Sequence, residues 1–429
     1  MKTNITKVVG RRIWDSRGRP TVEVEVELAD GTRGRGIAPA GASAGSNEAV
    51  EIRDGGTVLG GYGVEKALRN VNEVIAPALV GRPATDQEQI DARLVELDGT
   101  PNFSRLGSNA SVSTSMAVLN SAAAAERVPL WRYLAGDDEV RLPLPEIQIF
   151  GGGAHAGRRI DIQDLLIMPV GASTFDEALA MTAEVYRAAG QLMAEKGPLA
   201  GVADEGGWWP NFGSNEEALE TLTRSIERAG YRRGEVMISL DIAASEFGAG
   251  GRYRLALEGA EYGTGEWLEV LSGWMGKYPI LSVEDPFGED DSDGMKAFTQ
   301  RFGRSVQVVG DDYLVTNADR VKQAVADSAC NAVLLKPNQA GTISATRLAM
   351  LEAKKAGWGM VVSARSGETE DVTIVHLATG WNAGQLKVGS FARSERMAKW
   401  NEGLRIADEL GGNAVFAGMG ALPVAARPG

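Results

Sequence analysis

The chain has 429 residues, of which 44% are hydrophobic and 24% charged, and its formal net charge is −13. This length is sufficient for two or three domains with a large core. The acidic balance, without any run of basic residues, makes nucleic acids and anionic membrane surfaces poor candidates as partners.

Cysteine and histidine are scarce. Cys330 is the only cysteine, so no disulfide forms within the chain and a reducing, cytoplasmic setting is expected. The N-terminal sequence lacks the apolar region of a signal peptide, and no run of roughly 18 apolar residues predicts a membrane span. The two histidines, His155 and His376, are too few for a histidine-rich metal site, so any metal is expected to have oxygen ligands.

Residues 1–136 are predicted to form an α+β domain. The segment TVEVEVEL (21–28) alternates Val with Glu and is followed by RGRGIA (33–38), which predicts an antiparallel hairpin. The glycine-rich segment 39–49 is expected to be a mobile loop that leads into a helix. Residues 63–136 have a helical pattern rich in Ala and Ser, typical of helices that pack closely against a neighbour.

Residues 137–429 repeat one pattern, in which a short apolar run ends in a polar residue and precedes a helical stretch. The clearest runs are 235–241, 279–285, 306–312, 331–336, 359–366 and 384–389. Two earlier strand-like runs, 162–170 and 198–207, bring the predicted number of strands to eight. Because a βα unit takes about 30 residues, the repeats predict a parallel (β/α)8 barrel and an α/β fold class.

Charged residues lie at or near the ends of the six clearest runs. They are Asp241, Glu284, Asp311, Lys336, Arg365 and Lys387. The C-terminal ends of parallel barrel strands meet at one rim, so these side chains are expected to converge there. A single such charge is adequately explained as a turn residue that leaves the core. Six charges facing one another must be compensated, and function is the usual reason to tolerate them.

These charges predict a metal site with a base beside it. The carboxylates of Asp241, Glu284 and Asp311 repel one another unless a divalent ion neutralises them, and oxygen ligands favour Mg²⁺ over Zn²⁺. Separate salt bridges are the alternative. Lys336 and Lys387 lie on nearby strands, and two ammonium groups beside a metal disfavour each other's protonation. One of them is therefore expected to be neutral near pH 7 and to act as a base.

An oxyanion site is predicted next to this pair. Arg365 offers a planar fork and Ser366 a hydroxyl, which suit a phosphoryl or similar group. Together with the lysines and the carboxylates, they predict a site that binds a doubly anionic substrate and removes a carbon-bound proton.

Long collinear motifs from Asp15 to Gly418 closely resemble enolase (phosphopyruvate hydratase). They include DSRGRPTVEVEVEL, SLDIAASEF, SVEDPF, LLKPNQAGT, RSGETED and RSERMAKWNEGLRIADELG. The resemblance implies an N-terminal α+β capping domain (1–136) on a catalytic, modified (β/α)8 TIM barrel (137–429). It also implies a homodimer that acts on a small anionic phosphocarboxylate similar to 2-phosphoglycerate.

The resemblance further implies a role for each site residue. One Mg²⁺ is held by Asp241, Glu284 and Asp311, and Ser43 helps hold a second one that arrives with the substrate. Lys336 abstracts the α-proton, Glu205 protonates the leaving group, and the metal ions stabilise the enolate that develops. The remaining substrate contacts are His155, Gln163, Asp164, Arg365, Ser366 and Lys387, of which Lys387 faces the substrate carboxylate.

The sequence departs from the enolase pattern near the leaving group and the phosphoryl group. Enolases have Ser-His-Arg-Ser-Gly-Glu where residues 363–368 are Ser-Ala-Arg-Ser-Gly-Glu, so Ala364 replaces a histidine. Ala44 replaces the usual loop Thr, and Asp164 replaces a Glu. The missing imidazole removes a hydrogen-bond donor and opens space. A retained base and metal set beside an altered leaving-group end predicts a paralogue with a different substrate.

Three hypotheses about function follow. The first is a specialised enzyme such as carboxyphosphonoenolpyruvate synthase of phosphonate and phosphinate antibiotic biosynthesis. The second is a glycolytic enolase that tolerates Ala364 and converts 2-phosphoglycerate to phosphoenolpyruvate and water. The third is a non-catalytic binding protein that kept the fold, and the retention of Lys336, Glu205 and the metal ligands speaks against it.

Overall fold

A computed structural model describes residues 2–42 and 45–423. The described chain begins with a three-stranded antiparallel sheet formed by β1 (Ile5–Trp14), β2 (Pro20–Leu28) and β3 (Arg33–Ile37). Val22, Val24 and Val26 are fully buried on one face of β2, as alternation at a period of two residues requires. The predicted hairpin is confirmed.

Helices follow this sheet. Their bounds are Glu65–Arg69 (α1), Ala76–Leu79 (α2), Gln87–Asp98 (α3), Ser108–Glu126 (α4) and Leu130–Ala135 (α5), with a π-helical segment at Asn70–Ile75. The expectation of a helix directly after residue 49 was wrong, because the next regular element is a 3₁₀ turn at Val58–Gly61. Gly55 and Gly56 in the intervening segment have φ of +73° and +72°, a conformation that no α-helix contains.

Helix α4 packs closely against the sheet. Of its 19 residues, 15 are buried, which confirms the tight packing predicted from its Ala and Ser content. Gly34 and Gly36 of β3 permit this approach, since a Cβ atom at Gly34 would lie 2.2 Å from the backbone nitrogen of Ser121. Val112 and Met116 of α4 belong to the same hydrophobic cluster as the core of the barrel.

The barrel itself is closed by eight strands of the described chain. Their bounds are Leu144–Gly151 (β4), Asp164–Met168 (β5), Met237–Asp241 (β6), Ile280–Glu284 (β10), Gln307–Gly310 (β11), Ala332–Leu335 (β12), Gly359–Ser363 (β13) and Gly384–Ser390 (β14). A small antiparallel sheet between β6 and β10 comprises Gly248–Ala249 (β7), Arg252–Leu255 (β8) and Ala260–Gly263 (β9). This sheet accounts for the long interval of sequence between the first and second charged strand ends, Asp241 and Glu284.

The prediction of eight parallel strands was wrong for β5, while the modified barrel implied by the resemblance is confirmed. Strand β5 is antiparallel to both β4 and β6, and the other neighbouring pairs are parallel. The reversal has a direct consequence for the site. Asp164, the first residue of β5, pairs in register with Asp241, the last residue of β6, so both lie at the same rim.

A second correction concerns which segments supply the strands. Residues 198–207 form a loop with an isolated bridge between Val202 and Trp208, and β4 takes the predicted place of this segment in the barrel. Gly201 and Gly206 have φ of +92° and +96°, which interrupts an extended strand. Pro145 lies within β4, and proline is rare inside sheets, which masked this strand in the sequence.

Helices surround the barrel. Their bounds are Phe175–Lys196 (α6), Asn215–Arg228 (α7), Thr264–Lys277 (α8), Ser292–Phe302 (α9), Ala318–Asp327 (α10), Pro337–Ala340 (α11), Ile343–Lys355 (α12), Thr373–Gly380 (α13) and Ser394–Leu410 (α14). Several begin at a side-chain N-cap, as at Thr174, Ser214 and Asp291, which satisfies a free N–H group of the first turn. Among the helices of the described residues, none combines the length and apolar character needed to cross a bilayer.

Candidate active site

The predicted site residues converge on one cavity at the rim of the barrel. The predicted residues that line it are His155, Gln163, Asp164, Glu205, Asp241, Asp311, Lys336, Ala364, Arg365, Ser366 and Lys387. Glu284 adjoins this group through Lys387, whose Nζ donates to Glu284 Oε2 at 2.7 Å. Ser43 lies outside the described residues. The convergence follows from strand ends that meet at one rim.

Lys387 lies between two of the predicted metal ligands. It is in the middle of β14, and its Nζ donates to Asp241 Oδ2 at 2.8 Å as well as to Glu284. Burial lowers the pKa of Lys387, but the charges of Asp241 and Glu284 outweigh burial and raise this pKa well above its usual value. The sequence placed Lys387 against a substrate carboxylate, whereas here its ammonium group neutralises two carboxylates of the protein.

Asp311 is paired with the predicted base. Lys336 Nζ donates to Asp311 Oδ2, and Gln339 Nε2 donates to Asp311 Oδ1 at 2.8 Å. Burial lowers the pKa of Lys336, yet the charge of Asp311 outweighs it, so the pKa is raised. Each of the two ammonium groups therefore has a carboxylate partner here, whereas the neutral lysine was expected beside a bound metal ion. The salt bridges considered as the alternative to a metal site are present.

The donor set nevertheless fits a hard divalent cation. Glu284 Oε1 is buried and has no hydrogen-bond partner. Burial and the nearby charge of Asp241 raise the pKa of Glu284 well above its usual value, so its ionised form lacks sufficient positive charge around it. Carboxylate oxygens are the ligands that Mg²⁺ prefers. Binding of such an ion to Glu284 and its neighbours would satisfy this oxygen.

The carboxylate oxygens of Asp241, Glu284 and Asp311 do not form a group in which all lie within 4.8 Å of one another. In the described residues, groups of three potential ligands whose atoms lie within 4.8 Å of one another occur in two places. One comprises His155, Asp164 and Glu205, and the other comprises Asp285, Asp311 and Asp312. The side chain of Asp285 is already engaged there, since it accepts from the backbone N–H groups of Asp311 and Asp312 at 2.9 and 2.6 Å.

The imidazole of His155 lies close to two carboxylates of the cavity, those of Asp164 and Glu205. His155 Nδ1 lies 2.8 Å from Asp164 Oδ1, and its Nε2 lies 2.8 Å from Ser366 Oγ and 3.7 Å from Glu205 Oε1. Burial lowers the pKa of His155, but Asp164 and Glu205 outweigh burial and raise it to about 9. Asp164 Oδ2 is buried without a partner. This part of the cavity, called the His155 corner, therefore places one imidazole beside two carboxylates, which favour its protonated form.

Arg365, the predicted phosphoryl ligand, is bound to a carboxylate from the N-terminal segment. Its Nη1 and Nη2 donate to Glu48 Oε2 and Oε1 at 2.9 and 3.3 Å. Ser366 Oγ accepts from the backbone N–H of Ala42 at 3.2 Å. Ala40 and Gly367 form a backbone bridge beside these contacts. The N-terminal segment thus covers the oxyanion end of the cavity.

Ala364 lines the cavity beside these groups. It follows β13, is buried, and donates its backbone N–H to the carbonyl of Lys387 at 2.9 Å. Its methyl group offers no hydrogen bond to the cavity, which Ala364 lines together with His155, Glu205 and Ser366.

Comparisons with known proteins agree with this geometry. The family model described as "Enolase, N-terminal domain" matches residues 5–134, and "Enolase, C-terminal TIM barrel domain" matches residues 139–423. A curated relative named "Enolase 1", from Desulfitobacterium hafniense (strain Y51), is 50% identical over 425 residues, which cover 98% of this chain and 97% of the relative.

The chain belongs to the enolase family. It is an enolase-type lyase, which sets aside the hypothesis of a non-catalytic binding protein. Enolases normally bind Mg²⁺ and act on a small phosphocarboxylate, and the acidic groups of the cavity are compatible with the metal ion.

Three side chains that bind the predicted site residues of this enolase were not predicted from the sequence. Glu48 binds Arg365, and Gln339 binds both Asp311 and Glu48, the latter at 3.1 Å. Gln148 donates to Asp164 Oδ1. Gln339 could have been predicted as a site residue, since it lies three residues after Lys336 in the motif LLKPNQAGT. Nothing in the sequence marked Glu48 as the partner of an arginine more than 300 residues away.

Proposed function

We propose that this enolase-family chain removes the α-proton of a 2-phosphoglycerate-like phosphocarboxylate and expels a leaving group to give an enolpyruvyl product. The supporting observation is one cavity that combines Lys336, a set of carboxylates, the His155 corner and the Arg365–Ser366 pair. A proton acceptor, a charge-stabilising set and an oxyanion clamp are what such a reaction requires.

Each residue has a proposed task. Lys336 takes the proton from carbon, and Glu205, 3.7 Å from His155, protonates the leaving group. Arg365 and Ser366 bind the phosphoryl group. The other proposed substrate contacts are His155, Gln163, Asp164 and Lys387.

The proposed ligands of a first Mg²⁺ are Asp241, Glu284 and Asp311, and Ser43 is the proposed ligand of a second. When bound, Mg²⁺ supplies positive charge that stabilises the doubly charged enolate.

The pairing of lysines with carboxylates suggests how the site becomes active. Asp311 cannot fully neutralise both Lys336 and a divalent ion, because its single negative charge is shared between them. The pKa of Lys336 is therefore expected to fall when Asp311 becomes a metal ligand. By the same argument, Lys387 becomes available to a substrate carboxylate when Asp241 and Glu284 become ligands.

We further propose that the substrate differs from that of ordinary enolases at the leaving-group end, as in carboxyphosphonoenolpyruvate synthase of phosphonate and phosphinate antibiotic biosynthesis. Support comes from the methyl group of Ala364, which lines the cavity where enolases have an imidazole. Asp164 adds a shorter carboxylate than the usual Glu. A pocket that has lost a donor while keeping its base fits a substrate with a different leaving group.

The second candidate is a glycolytic enolase that forms phosphoenolpyruvate and water from 2-phosphoglycerate. It is favoured by the 50% identity over nearly the whole chain to a relative named "Enolase 1".

One experiment separates the two candidates. The protein is incubated with Mg²⁺ in D₂O with either 2-phosphoglycerate or phosphonate analogues, and α-proton exchange is followed by NMR together with product release. The specialised enzyme is expected to exchange the α-proton of 2-phosphoglycerate, to release phosphoenolpyruvate slowly, and to convert a phosphonate analogue faster. Release of phosphoenolpyruvate at a typical enzymatic rate supports the glycolytic candidate. Absence of exchange with every compound contradicts both.

We also propose that the protein is a homodimer. Exposed apolar side chains occur at the end of β1 and in the turn before α1, namely Trp14, Val58, Leu59 and Tyr62, and such side chains favour an interface. Light scattering after size-exclusion chromatography is expected to give twice the chain mass for the wild type and less for Trp14→Glu. The matched control is Leu348→Glu, at an exposed apolar residue of α12. A monomeric wild type contradicts the proposal.

A further inference from the structure

Helix α14 carries two cationic side chains that are completely buried. Arg396 and Lys399 are both 0% exposed, and they lie against residues 365–369, the segment that contains the Arg365–Ser366 pair. Burial of an uncompensated charge costs several kcal/mol, so each cation is expected to have specific partners.

Arg396 is bound mainly to backbone carbonyl groups. Its Nη1 donates to the carbonyl oxygens of Arg365 and Val388 at 2.7 and 2.9 Å, and its Nη2 donates to the carbonyl oxygen of Ser366. Its nearest carboxylate is Glu395, at 3.5 Å from Nε. The planar fork thus ties two consecutive carbonyl groups of the segment to strand β14.

Lys399 reaches the same segment through a second route. Its Nζ donates to the carbonyl oxygen of Thr369 at 2.9 Å and lies 3.1 Å from Glu368 Oε2. The other oxygen of Glu368 accepts from the backbone N–H of Arg365 at 3.0 Å. Both backbone polar groups of Arg365 are therefore fixed by contacts that depend on α14.

These contacts involve backbone groups of Arg365 and Ser366 and not their side chains. Both side chains line the cavity, where Arg365 binds Glu48 and Ser366 lies against His155. Because a guanidinium group can bind an oxyanion with two bonds only at a defined orientation, a displaced backbone would misdirect it.

We propose that Arg396 and Lys399 are positioning residues that hold Arg365 and Ser366 in the orientation needed to bind the phosphoryl or related oxyanion of the substrate. The proposal rests on the proposed function for the identity of that oxyanion. Neither residue lines the cavity, so each acts through the backbone it holds. A merely structural role would lower the thermal midpoint without a selective change in anion affinity.

The test uses three variants and one control. Arg396→Gln removes the charge and part of the fork, Arg396→Lys keeps the charge, and Lys399→Met removes the second cation. The control is Arg405→Gln, at an exposed arginine of the same helix that pairs with Glu402 at 2.7 Å. Each variant is assayed for the thermal midpoint, for the Kd of inorganic phosphate by calorimetry, and for KM and kcat of α-proton exchange from 2-phosphoglycerate.

Arg396→Gln is expected to raise both the Kd of phosphate and the KM by about tenfold or more, as loss of a charged hydrogen-bond set implies, while kcat stays within about threefold. Arg396→Lys should give a smaller rise, and Arg405→Gln none. Combined with Arg365→Gln, the effect of Arg396→Gln on phosphate affinity should largely vanish, because both changes act on one group.

Unchanged phosphate affinity in Arg396→Gln overturns the inference, as does a fall in thermal midpoint and kcat with KM unaltered. If that variant does not fold, Arg396→Lys and Lys399→Met decide by the same criteria. A folded wild type that binds no phosphate also overturns it. Phosphate binding without proton exchange on any phosphocarboxylate overturns the proposed function alone.

Discussion

Glu48 and Arg365 form a buried, two-pronged ion pair, with distances of 2.9 Å from Nη1 to Oε2 and 3.3 Å from Nη2 to Oε1. A phosphoryl group would use the same donors of Arg365. Glu48 also accepts from the backbone N–H of Gly45 at 3.0 Å and from Gln339 at 3.1 Å. The N-terminal segment thus places a carboxylate of the protein where a substrate anion is expected.

Glu48→Gln is expected to strengthen the binding of inorganic phosphate several-fold. The change removes a negative charge that repels the anion and competes for Arg365, while the amide oxygen can still accept from Gly45. Calorimetric titration with phosphate measures the effect, and Glu269→Gln, at an exposed residue of α8, is the control. A higher Kd for phosphate in Glu48→Gln would show instead that Glu48 orients Arg365 for the substrate.

Lys336→Ala is expected to abolish α-proton exchange, with a loss of roughly 10²- to 10⁴-fold, the usual contribution of a positioned base. Exchange of deuterium into 2-phosphoglycerate, followed by NMR with Mg²⁺ present, measures it. Lys354→Ala, at an exposed lysine of α12, should exchange normally. Substantial residual exchange in Lys336→Ala would mean that another group takes the proton.

Ala364→His is expected to raise the release of phosphoenolpyruvate from 2-phosphoglycerate. The imidazole would restore a donor at the cavity end that His155 and Ser366 already occupy, and a hydrogen bond to a charged group corresponds to about tenfold or more in rate. A coupled assay of phosphoenolpyruvate release measures it, with Ala356→His at the exposed end of α12 as the control. An unchanged or lower rate contradicts the proposed role of Ala364.

Much of this site was predictable because, in a barrel, the position of a residue at the end of a strand determines where its side chain lies in the fold. Asp241, Glu284 and Lys336 mark strand ends, and parallel strands of a closed barrel bring such ends to one rim whatever their separation in sequence. The reversed strand β5 was not predictable from its apolar pattern, because periodicity reports burial and not direction.

The ion pairs within the site could not be predicted from the sequence, for a different reason. Lys387 was assigned to the substrate, yet it binds Asp241 and Glu284, since a buried ammonium group takes the nearest carboxylates. Which partner it takes depends on distances of a few ångströms between strands that are far apart in the chain. The sequence shows which site residues carry a charge, but it does not show which of them form ion pairs with one another.

His155 is expected to be protonated at neutral pH, with a pKa of about 9, because Asp164 and Glu205 outweigh the effect of burial. The folded-state pKa exceeds the unfolded value of about 6.5, so its contribution to stability is fully present below that value and is lost as pH rises through about 9. NMR of labelled histidine measures this directly, since His376 is the only other histidine. Asp164→Asn should lower the pKa, and titration of His155 near its ordinary value in the wild type would contradict the ion pair.

Addition of Mg²⁺ is expected to raise the thermal midpoint of the wild type, since a ligand at 100 times its Kd stabilises the native state by about 2.7 kcal/mol. Glu284→Gln should lose this rise. Without Mg²⁺ the same variant should differ little in stability from the wild type at neutral pH, because the loss of the pair with Lys387 and the removal of a carboxyl whose pKa burial and Asp241 raise act in opposite directions. A general loss of structure would instead lower the thermal midpoint both with and without Mg²⁺. Glu269→Gln, at an exposed residue of α8, is the control, and a full Mg²⁺-dependent rise in Glu284→Gln would exclude Glu284 as a ligand.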